Sequence, residues 1–158
     1  MLPIDEGNPN NSFDRDLEDG EKLERIVLHN IKTGNTPLFR EAFPDAYKVE
    51  GYFKAYDIFV PGVDIRIEVK KDVKSQETGN YVIEVEFGGK PSALSTTEAD
   101  YWVFWDGECW IYTTVPKIKD AVKGLPLREF TAKGDTTPKK AYLCPKERIK
   151  SNAEYIVY

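Results

Sequence analysis

Two carboxylates and a lysine on neighbouring segments have the types and the spacing for chemistry. Residues 63–72 alternate between apolar and charged side chains, which is the period of a β-strand with one buried face. Glu68 and Lys70 therefore project side by side from the charged face, and Asp57 arrives on the preceding segment. Carboxylate oxygens are the ligands that Mg²⁺ prefers, and a lysine beside them can act on the water to be activated. The alternative is a solvated strand face on which opposite charges simply pair.

A second charged strand follows this one. Residues 80–87 alternate again, which places Glu84 and Glu86 on one face. If this strand pairs with residues 63–71 as a hairpin, the two carboxylates gather near Glu68. Clustered like charges are unfavourable unless they are solvated or a cation binds there. Glu84 and Glu86 are therefore either supporting groups of a metal site or ordinary surface charges.

The helix that must face these strands is predicted over residues 15–31. Its apolar residues recur at helical spacing, and Gly34 follows as a stop signal. Glu24 lies on the shoulder of the apolar stripe, where it could face inward. The stripe itself consists of Leu23, Ile26, Val27 and Ile31.

The strands are predicted from the same alternation and from turn residues. They cover residues 53–60, 63–71 and 80–87. A short helix is predicted next, because Ser95 and Glu98 fit a capping box. Residues 101–105 are apolar on both faces, which is typical of a buried strand. Asp106-Gly107 predicts a two-residue hairpin turn after it.

The remainder of the chain is predicted to hold two further helices with short strands between them. Pro116 opens the first of these helices, and Pro145 opens the second. Two short strands are placed within residues 126–145, around Gly134-Asp135. The inward residues of the last helix are predicted to be Ile149, Ala153 and Ile156.

The bulk composition is that of an ordered globular protein. A length of 158 residues with 41% hydrophobic content predicts one domain over residues 13–158, after a flexible polar arm at residues 1–12. No apolar run approaches the ~20 residues of a transmembrane helix, and no signal-peptide pattern opens the chain. We therefore expect a cytoplasmic protein with reduced structural thiols at Cys109 and Cys144. The only histidine, His29, is predicted to lie at the surface.

Charge is divided unevenly along a chain whose net charge is −5. Residues 1–115 hold 12 Lys and Arg against 22 Asp and Glu, whereas residues 116–158 hold 10 against 5. The basic segment 116–158 could bind phosphates while the acidic segment 1–115 holds a metal ion. Alternatively, the basic residues could form a solvated helix face. Lys71 and Lys74, just past the predicted metal site, are further candidates for phosphate contacts. The C-terminal candidates for DNA binding are Lys146, Arg148 and Lys150.

Three successive elements present acidic residues and a lysine in a characteristic order. The order consists of Gly20-x-x-x-Glu24, Asp57 and Glu68-Val69-Lys70, within a segment from about Phe13 to Val122. It resembles the PD-(D/E)XK nuclease superfamily, although Tyr56 stands where the family name has a proline. Residues 78–84 and 95–102 also look similar to small nucleases encoded by phages.

The resemblance implies an α/β fold with a restriction-endonuclease-like core, in which helices flank a central mixed β-sheet in the order α-β-β-β-α-β. It also implies a hydrolase that uses Mg²⁺ or Mn²⁺ to cut phosphodiester bonds in DNA. Asp57, Glu68 and the carbonyl of Val69 would bind the metal. Lys70 would orient the attacking water and stabilise the transition state, and Glu24 would reach in from the helix.

Other interpretations of the same residues stay open at this stage. The chain could be a non-catalytic module of the same fold that binds DNA or a protein, or an acidic protein that mimics DNA. The sequence also leaves open whether cleavage would be endonucleolytic or exonucleolytic, and whether the substrate would be DNA or RNA. Many nucleases of this superfamily dimerise to cut both strands, so a homodimer is a further alternative.

Aromatic side chains on the predicted central strands are candidates for stacking on bases. Aromatics on adjacent strands are more often core residues, and that is the favoured interpretation here. The residues concerned are Tyr101, Trp102, Trp105, Trp110 and Tyr112.

Overall fold

Two β-sheets and four helices make up the described part of the chain. The computed structural model describes residues 12–51, 54–131 and 136–158, with the side chains of the first helix described from residue 19 onward. The predicted arm at residues 1–12 thus lies almost wholly outside the described residues, and so does Gly134-Asp135. The architecture is α/β with a mixed sheet.

The helices are α1 (Ser12–Thr33), α2 (Ser75–Thr78), α3 (Val115–Ala121) and α4 (Lys146–Lys150). The strands are β1 (Tyr47–Lys48), β2 (Ile58–Val60), β3 (Ile65–Lys71), β4 (Asn80–Phe87), β5 (Lys90–Pro91), β6 (Tyr101–Trp105), β7 (Trp110–Thr114), β8 (Arg128–Phe130), β9 (Lys139–Pro145) and β10 (Tyr155–Val157). Two short 3-10 turns cover Pro61–Val63 and Ala93–Ser95. None of the helices in the described ranges is long and apolar enough to cross a membrane.

The main sheet has six strands in the order β1-β2-β3-β6-β7-β10. Its only parallel pair is β3 with β6, and the other neighbours are antiparallel. The second sheet has four antiparallel strands in the order β5-β4-β9-β8. Strand β3, which carries the predicted catalytic pair, therefore lies inside the main sheet with a partner on each side.

Helix α1 covers one face of the main sheet. Val27 and Ile31 are buried against Ile67 of β3 and Val103 of β6. The predicted inward face is correct for these residues but wrong for Ile26, which is 38% exposed. The helix ends at Thr33, and the next residue, Gly34, has a φ of +77°. A side chain there would meet the backbone of Ala42 in a conformation that L-residues rarely adopt.

The opposite face of the main sheet packs against the second sheet and α3. Trp102 and Phe104 of β6 are 1% exposed and contact a cluster that includes Tyr81, Ile83 and Ile118. Since β6 has an apolar core on each face, the predicted buried strand at residues 101–105 is confirmed. Cys109 and Cys144 are free thiols, both buried, as expected.

The hairpin considered from the sequence, in which β4 pairs with β3, does not form. Both edges of β3 are already occupied, by β2 and by β6, so β4 cannot join it. The Asp72 N–H continues the main sheet by donating to the Trp105 carbonyl (2.9 Å), and the chain then turns through α2. Strand β4 pairs with β5 and β9 in the second sheet instead. Glu84 and Glu86 therefore lie away from Glu68, beside Lys139 (4.0 Å) and Lys140 (3.3 Å).

Three other local predictions need correction. Strand β3 begins at Ile65 rather than residue 63, because Asp64 adopts a left-handed conformation with a φ of 52°. No capping-box helix forms at Ser95, which instead ends a 3-10 turn and donates its hydroxyl to the Val85 carbonyl (2.8 Å). The residue Ile156, predicted on the last helix, lies on β10 beside Ile111.

The loop between β6 and β7 is longer than the predicted two-residue turn, because the buried side chain of Asp106 organises it. Asp106 accepts hydrogen bonds from the Glu108 and Cys109 N–H groups (both 2.9 Å). It also accepts one from the Tyr81 hydroxyl of the second sheet (2.8 Å). Burial raises the pKa of Asp106, but these hydrogen bonds outweigh it, so the pKa lies below its ordinary value. The carboxylate thus ties the two sheets together.

We expect Asp106→Asn to lower the free energy of unfolding by about 2 kcal/mol at neutral pH. The substitution replaces one buried carboxylate oxygen, which accepts hydrogen bonds, with an NH₂ group that cannot accept them. Tyr81→Phe, the control that removes one hydrogen bond, should cost about 1 kcal/mol. A carboxylate with a depressed folded pKa stabilises above its unfolded pKa and loses that contribution as pH falls through the folded value. The gap between wild type and Asp106→Asn, measured by urea unfolding, should therefore shrink below about pH 4. A gap that is constant with pH would contradict the ionised role of Asp106.

Candidate functional site

Asp57 lies immediately before β2, and its side chain takes the place of a main-chain group in the pairing with β3. Its N–H donates to the Ile67 carbonyl (2.9 Å), and its Oδ2 accepts from the Val69 N–H (2.7 Å). The side chain thus occupies a ladder position on the β2 side of β3, near the plane of the sheet. Asp57 is 4% exposed, so a buried carboxylate is held in place by main-chain hydrogen bonds.

Glu24 approaches Asp57 from the helix side of the sheet. It is 8% exposed, because it lies one turn before Val27 on the face of α1 that packs against the sheet. The prediction that Glu24 faces inward is confirmed. Lys54 lies between the two carboxylates, with its ammonium 3.2 Å from Glu24 Oε1 and 3.1 Å from Asp57 Oδ1. Lys48 lies 3.3 Å from the other oxygen of Glu24.

Glu68 and Lys70 project from the other face of β3, as the alternation predicts. Their neighbours on β6 in register are Trp102 and Phe104. The ammonium of Lys70 lies 3.3 Å from Glu68 Oε1 and 5.0 Å from the centre of the Trp102 ring. The aromatic face and the carboxylate together hold the lysine over the sheet.

The protonation equilibria of the site are shifted by burial and by mutual repulsion. Burial raises the pKa of Asp57, and the charge of Glu68 raises it further. Burial also raises the pKa of Glu24, followed by its hydrogen bond and charge repulsion with Asp57. For Lys54, burial acts to lower the pKa, but the charges of Asp57 and Glu24 outweigh it and raise the pKa. The lysine therefore stays charged beside carboxylates that are hard to ionise together.

The predicted metal donors are chemically suitable but ion-paired. Asp57 and Glu68 supply carboxylate oxygens, the donors that a hard divalent cation prefers. The carbonyl of Val69 points to the same edge of β3 as its N–H, towards Asp57. Among the described residues, however, no group of three or more His, Cys, Asp and Glu side chains is arranged to hold a metal ion. A cation at Asp57 would take the position that the Lys54 ammonium occupies in this structure.

The residues predicted to contact DNA lie in different environments. Lys74 is exposed in the turn that follows β3, whereas Lys71 is half-buried with its ammonium 3.2 Å from Asp19. Lys146 is 4.0 Å from Asp106, and Arg148 donates to the carbonyls of Ala121 (3.2 Å) and Lys123 (3.3 Å) at the end of α3. Lys150 lies 5.9 Å from the ring centre of Tyr158. The C-terminal basic residues therefore make structural contacts within the chain.

The aromatics considered for base stacking are mainly core residues. Trp102 and Tyr112 are buried. Trp105 and Trp110 are half-buried and pack against each other at 5.2 Å between ring centres. Tyr101 packs beside the core under α1. The favoured interpretation from the sequence is thus confirmed for these positions.

Sequence reasoning missed Lys48 and Lys54. Lys54 precedes Asp57 by three residues, a spacing that gave no signal because the segment between them is irregular. Lys48 reaches Glu24 only because β1 pairs with β2. His29, by contrast, is exposed as predicted.

Comparisons with known proteins add no assignment. No family model matches this chain, and no curated protein or solved structure shows significant similarity to it. The resemblance to the PD-(D/E)XK superfamily therefore rests on the residues and their order alone.

We expect Lys54→Met to lower the free energy of unfolding by about 2 kcal/mol, because Glu24 and Asp57 lose the cation that they share. A fully buried broken pair costs about 3–5 kcal/mol, and the Lys54 side chain is 24% exposed. The control is Lys123→Met, which removes an exposed pair with Asp120 and should change nothing measurable. Equal stability of the two variants in chemical denaturation would show that Lys54 does not hold the carboxylates together.

Proposed function

We propose that this chain is a metal-dependent nuclease of the PD-(D/E)XK type, which hydrolyses phosphodiester bonds in DNA. The observation that carries the proposal is the position of Asp57 between Glu24 on the helix side of the sheet and Glu68, with its partner Lys70, on the other face. Asp57 is repelled by both of the other carboxylates, and acids held together in this way are found more often at functional sites than elsewhere in a fold.

The main sheet supports the fold proposed with this activity. Helix α1 packs on a sheet in which β2 and β3 are antiparallel and β6 lies parallel to β3. Glu24 lies on α1, Glu68 and Lys70 lie on β3, and Asp57 immediately precedes β2. Two departures from the expected order are the 3-10 turn in place of the second helix, and the presence of β4 in a second sheet. We propose a restriction-endonuclease-like core limited to α1, β2, β3 and β6.

Each side chain of the site has a role that follows from its position. A bound Mg²⁺ would supply positive charge at the scissile phosphate and a more acidic water. Asp57, Glu68 and the Val69 carbonyl would hold it, and the 2.7 Å hydrogen bond from the Val69 N–H fixes Asp57 for that purpose. Lys70, held over Trp102, would orient the attacking water and stabilise negative charge on the phosphate. Glu24 would accept a hydrogen bond or a proton at the helix side.

The approach of the DNA backbone is proposed along the end of β3. Lys74 is exposed just beyond this strand, so its ammonium is available to a phosphate. Lys146, Arg148 and Lys150 contribute positive charge from α4, although their contacts within the chain make the first two structural as well. They would add non-specific attraction rather than take part in the reaction.

The ion pairs of the site favour one alternative. Because Lys54 and Lys48 already neutralise Glu24 and Asp57, the cluster is stable as a purely structural network. In that case the chain would be a non-catalytic module that binds DNA or a protein. Cleavage assays on linear, circular, branched and single-stranded DNA, with and without Mg²⁺ or Mn²⁺, separate the two functions.

We expect Glu68→Gln and Lys70→Ala each to reduce cleavage by at least about 100-fold, because the first removes a proposed metal ligand and the second removes the group that stabilises the transition state. The matched controls are Glu86→Gln and Lys140→Ala, which alter another Glu-Lys pair at 3.3 Å on the second sheet. These controls should cleave like wild type. Near wild-type activity of a well-folded Lys70→Ala variant would remove that lysine from the mechanism.

Divalent cations should raise the melting temperature by mass action if they bind the folded site. We expect Mn²⁺ to stabilise more than Mg²⁺, following the usual order of affinities, and Asp57→Asn to weaken both responses. Lys54→Met should strengthen them, because the cation no longer has to displace an ammonium. If neither ion shifts the melting temperature of wild type or of Lys54→Met, and calorimetry detects no binding, the proposed metal site is wrong.

A further inference from the structure

A group of aromatic rings and one guanidinium lies on β1–β3, next to the proposed site. We call it the stacking patch, and it consists of Tyr47, Tyr56, Phe59 and Arg66. Phe59 faces Arg66 across the antiparallel pair of β2 and β3, and Tyr47 faces Phe59 across β1 and β2. Arg66 alternates with Glu68 and Lys70 along β3, so the patch shares their face of the sheet.

The patch is built by ring contacts around one cation. Arg66 lies 5.0 Å from the ring centre of Phe59 and 5.6 Å from that of Tyr56. Tyr47 meets Phe59 edge to face at 5.7 Å, with 71° between the rings. The guanidinium is further held by Asp64 at 3.2 Å. These contacts fix the orientation of the planar groups before any ligand arrives.

The patch differs from the core aromatics in its exposure. Tyr47 is 50% exposed and the Arg66 side chain 34%, whereas Trp102 on the same face is 1% exposed. The second sheet covers β6 but leaves β1 and β2 at the open edge of the main sheet. Aromatic surface beside a cation, exposed at Tyr47 and partly exposed at Tyr56 and Phe59, marks an interaction surface more often than a stability element.

We propose that the stacking patch holds an unpaired base of the DNA strand whose phosphate lies at Glu68 and Lys70. The inference rests on the proposed function and names its substrate as single-stranded or locally unpaired DNA. Aromatic faces and guanidinium planes are the groups on which proteins stack unpaired bases, whatever their sequence. Arg66 and Glu68 are two residues apart on one strand, about 7 Å, so a base on the patch lies beside a phosphate at the carboxylates.

Charge complementarity supports a nucleic acid as the occupant. Arg66 offers a positive charge whose ion pair with the exposed Asp64 is weak, and Lys70, paired with Glu68, lies further along the same strand. A base paired inside a duplex presents only its edge to a protein surface, so it cannot stack on these rings without leaving the helix. The patch thus favours single strands, loops, flaps or frayed ends over intact duplex.

The experiment measures binding by fluorescence anisotropy without divalent cations. Its probes are a labelled single-stranded oligodeoxynucleotide and the blunt duplex of the same sequence. We expect wild type to bind the single strand more tightly than the duplex. Tyr47→Ala and Phe59→Leu should weaken single-strand binding about tenfold, while duplex binding is unchanged. Tyr47→Phe keeps the ring and should bind as wild type does.

The matched control is Tyr155→Ala, because Tyr155 is 45% exposed on β10 at the opposite edge of the same sheet. It should leave both affinities unchanged, and melting curves of all variants report whether the fold is retained. Arg66→Lys keeps the positive charge but removes the planar guanidinium. It should therefore weaken binding of the single strand, while the salt dependence of binding stays the same.

The two proposals fail in distinguishable ways. In the first case, wild type cleaves DNA, but folded Tyr47→Ala and Phe59→Leu bind the single strand as tightly as wild type, or lose affinity for the single strand and the duplex equally. The stacking patch is then overturned and the nuclease stands. If the patch variants lose single-strand binding but wild type cleaves nothing with Mg²⁺ or Mn²⁺, the patch is supported and the nuclease is overturned. Absence of any binding to DNA overturns the patch.

Discussion

The hydrogen bond from the Val69 N–H to the Asp57 carboxylate is the contact on which the candidate site depends. Asp57 lies just before β2 begins, so its side chain completes a ladder that the main chain leaves open. Because that oxygen is held near the plane of the sheet, Asp57 meets Glu24 on the helix side and Glu68 on the other side. A carboxylate on an ordinary outward rotamer would reach only one of them.

The same placement explains why lysines surround the acids. Three carboxylates gathered around one strand would repel each other strongly in a partly desolvated site. Lys48, Lys54 and Lys70 each contact one or more of them, which leaves the cluster close to neutral overall. The lysine between Glu24 and Asp57 pairs with both carboxylates without a metal ion, and a metal ion at Asp57 would have to displace it.

Local periodicity predicted the parts of the site that lie on regular elements. Alternation located Glu68 and Lys70 on one face of β3, and helical spacing located Glu24, because each signal depends only on neighbours in sequence. The pairing of β4 could not be predicted in this way, since it depends on β6 arriving later in the chain to occupy the free edge of β3. The capping-box prediction failed for a related reason, because the Ser95 hydroxyl finds the carbonyl of Val85 instead.

The parallel pairing of β3 with β6 has a consequence for how the molecule is assembled. Between these strands the chain makes an excursion through α2, β4 and β5, and β4 is completed only when β9 arrives from near the C-terminus. Contacts between residues so distant in sequence carry a large loop-closure cost before they become favourable. The strand that bears Glu68 and Lys70 therefore acquires its second neighbour late in folding. The site proposed on this strand would therefore be complete only after β6 has folded onto β3.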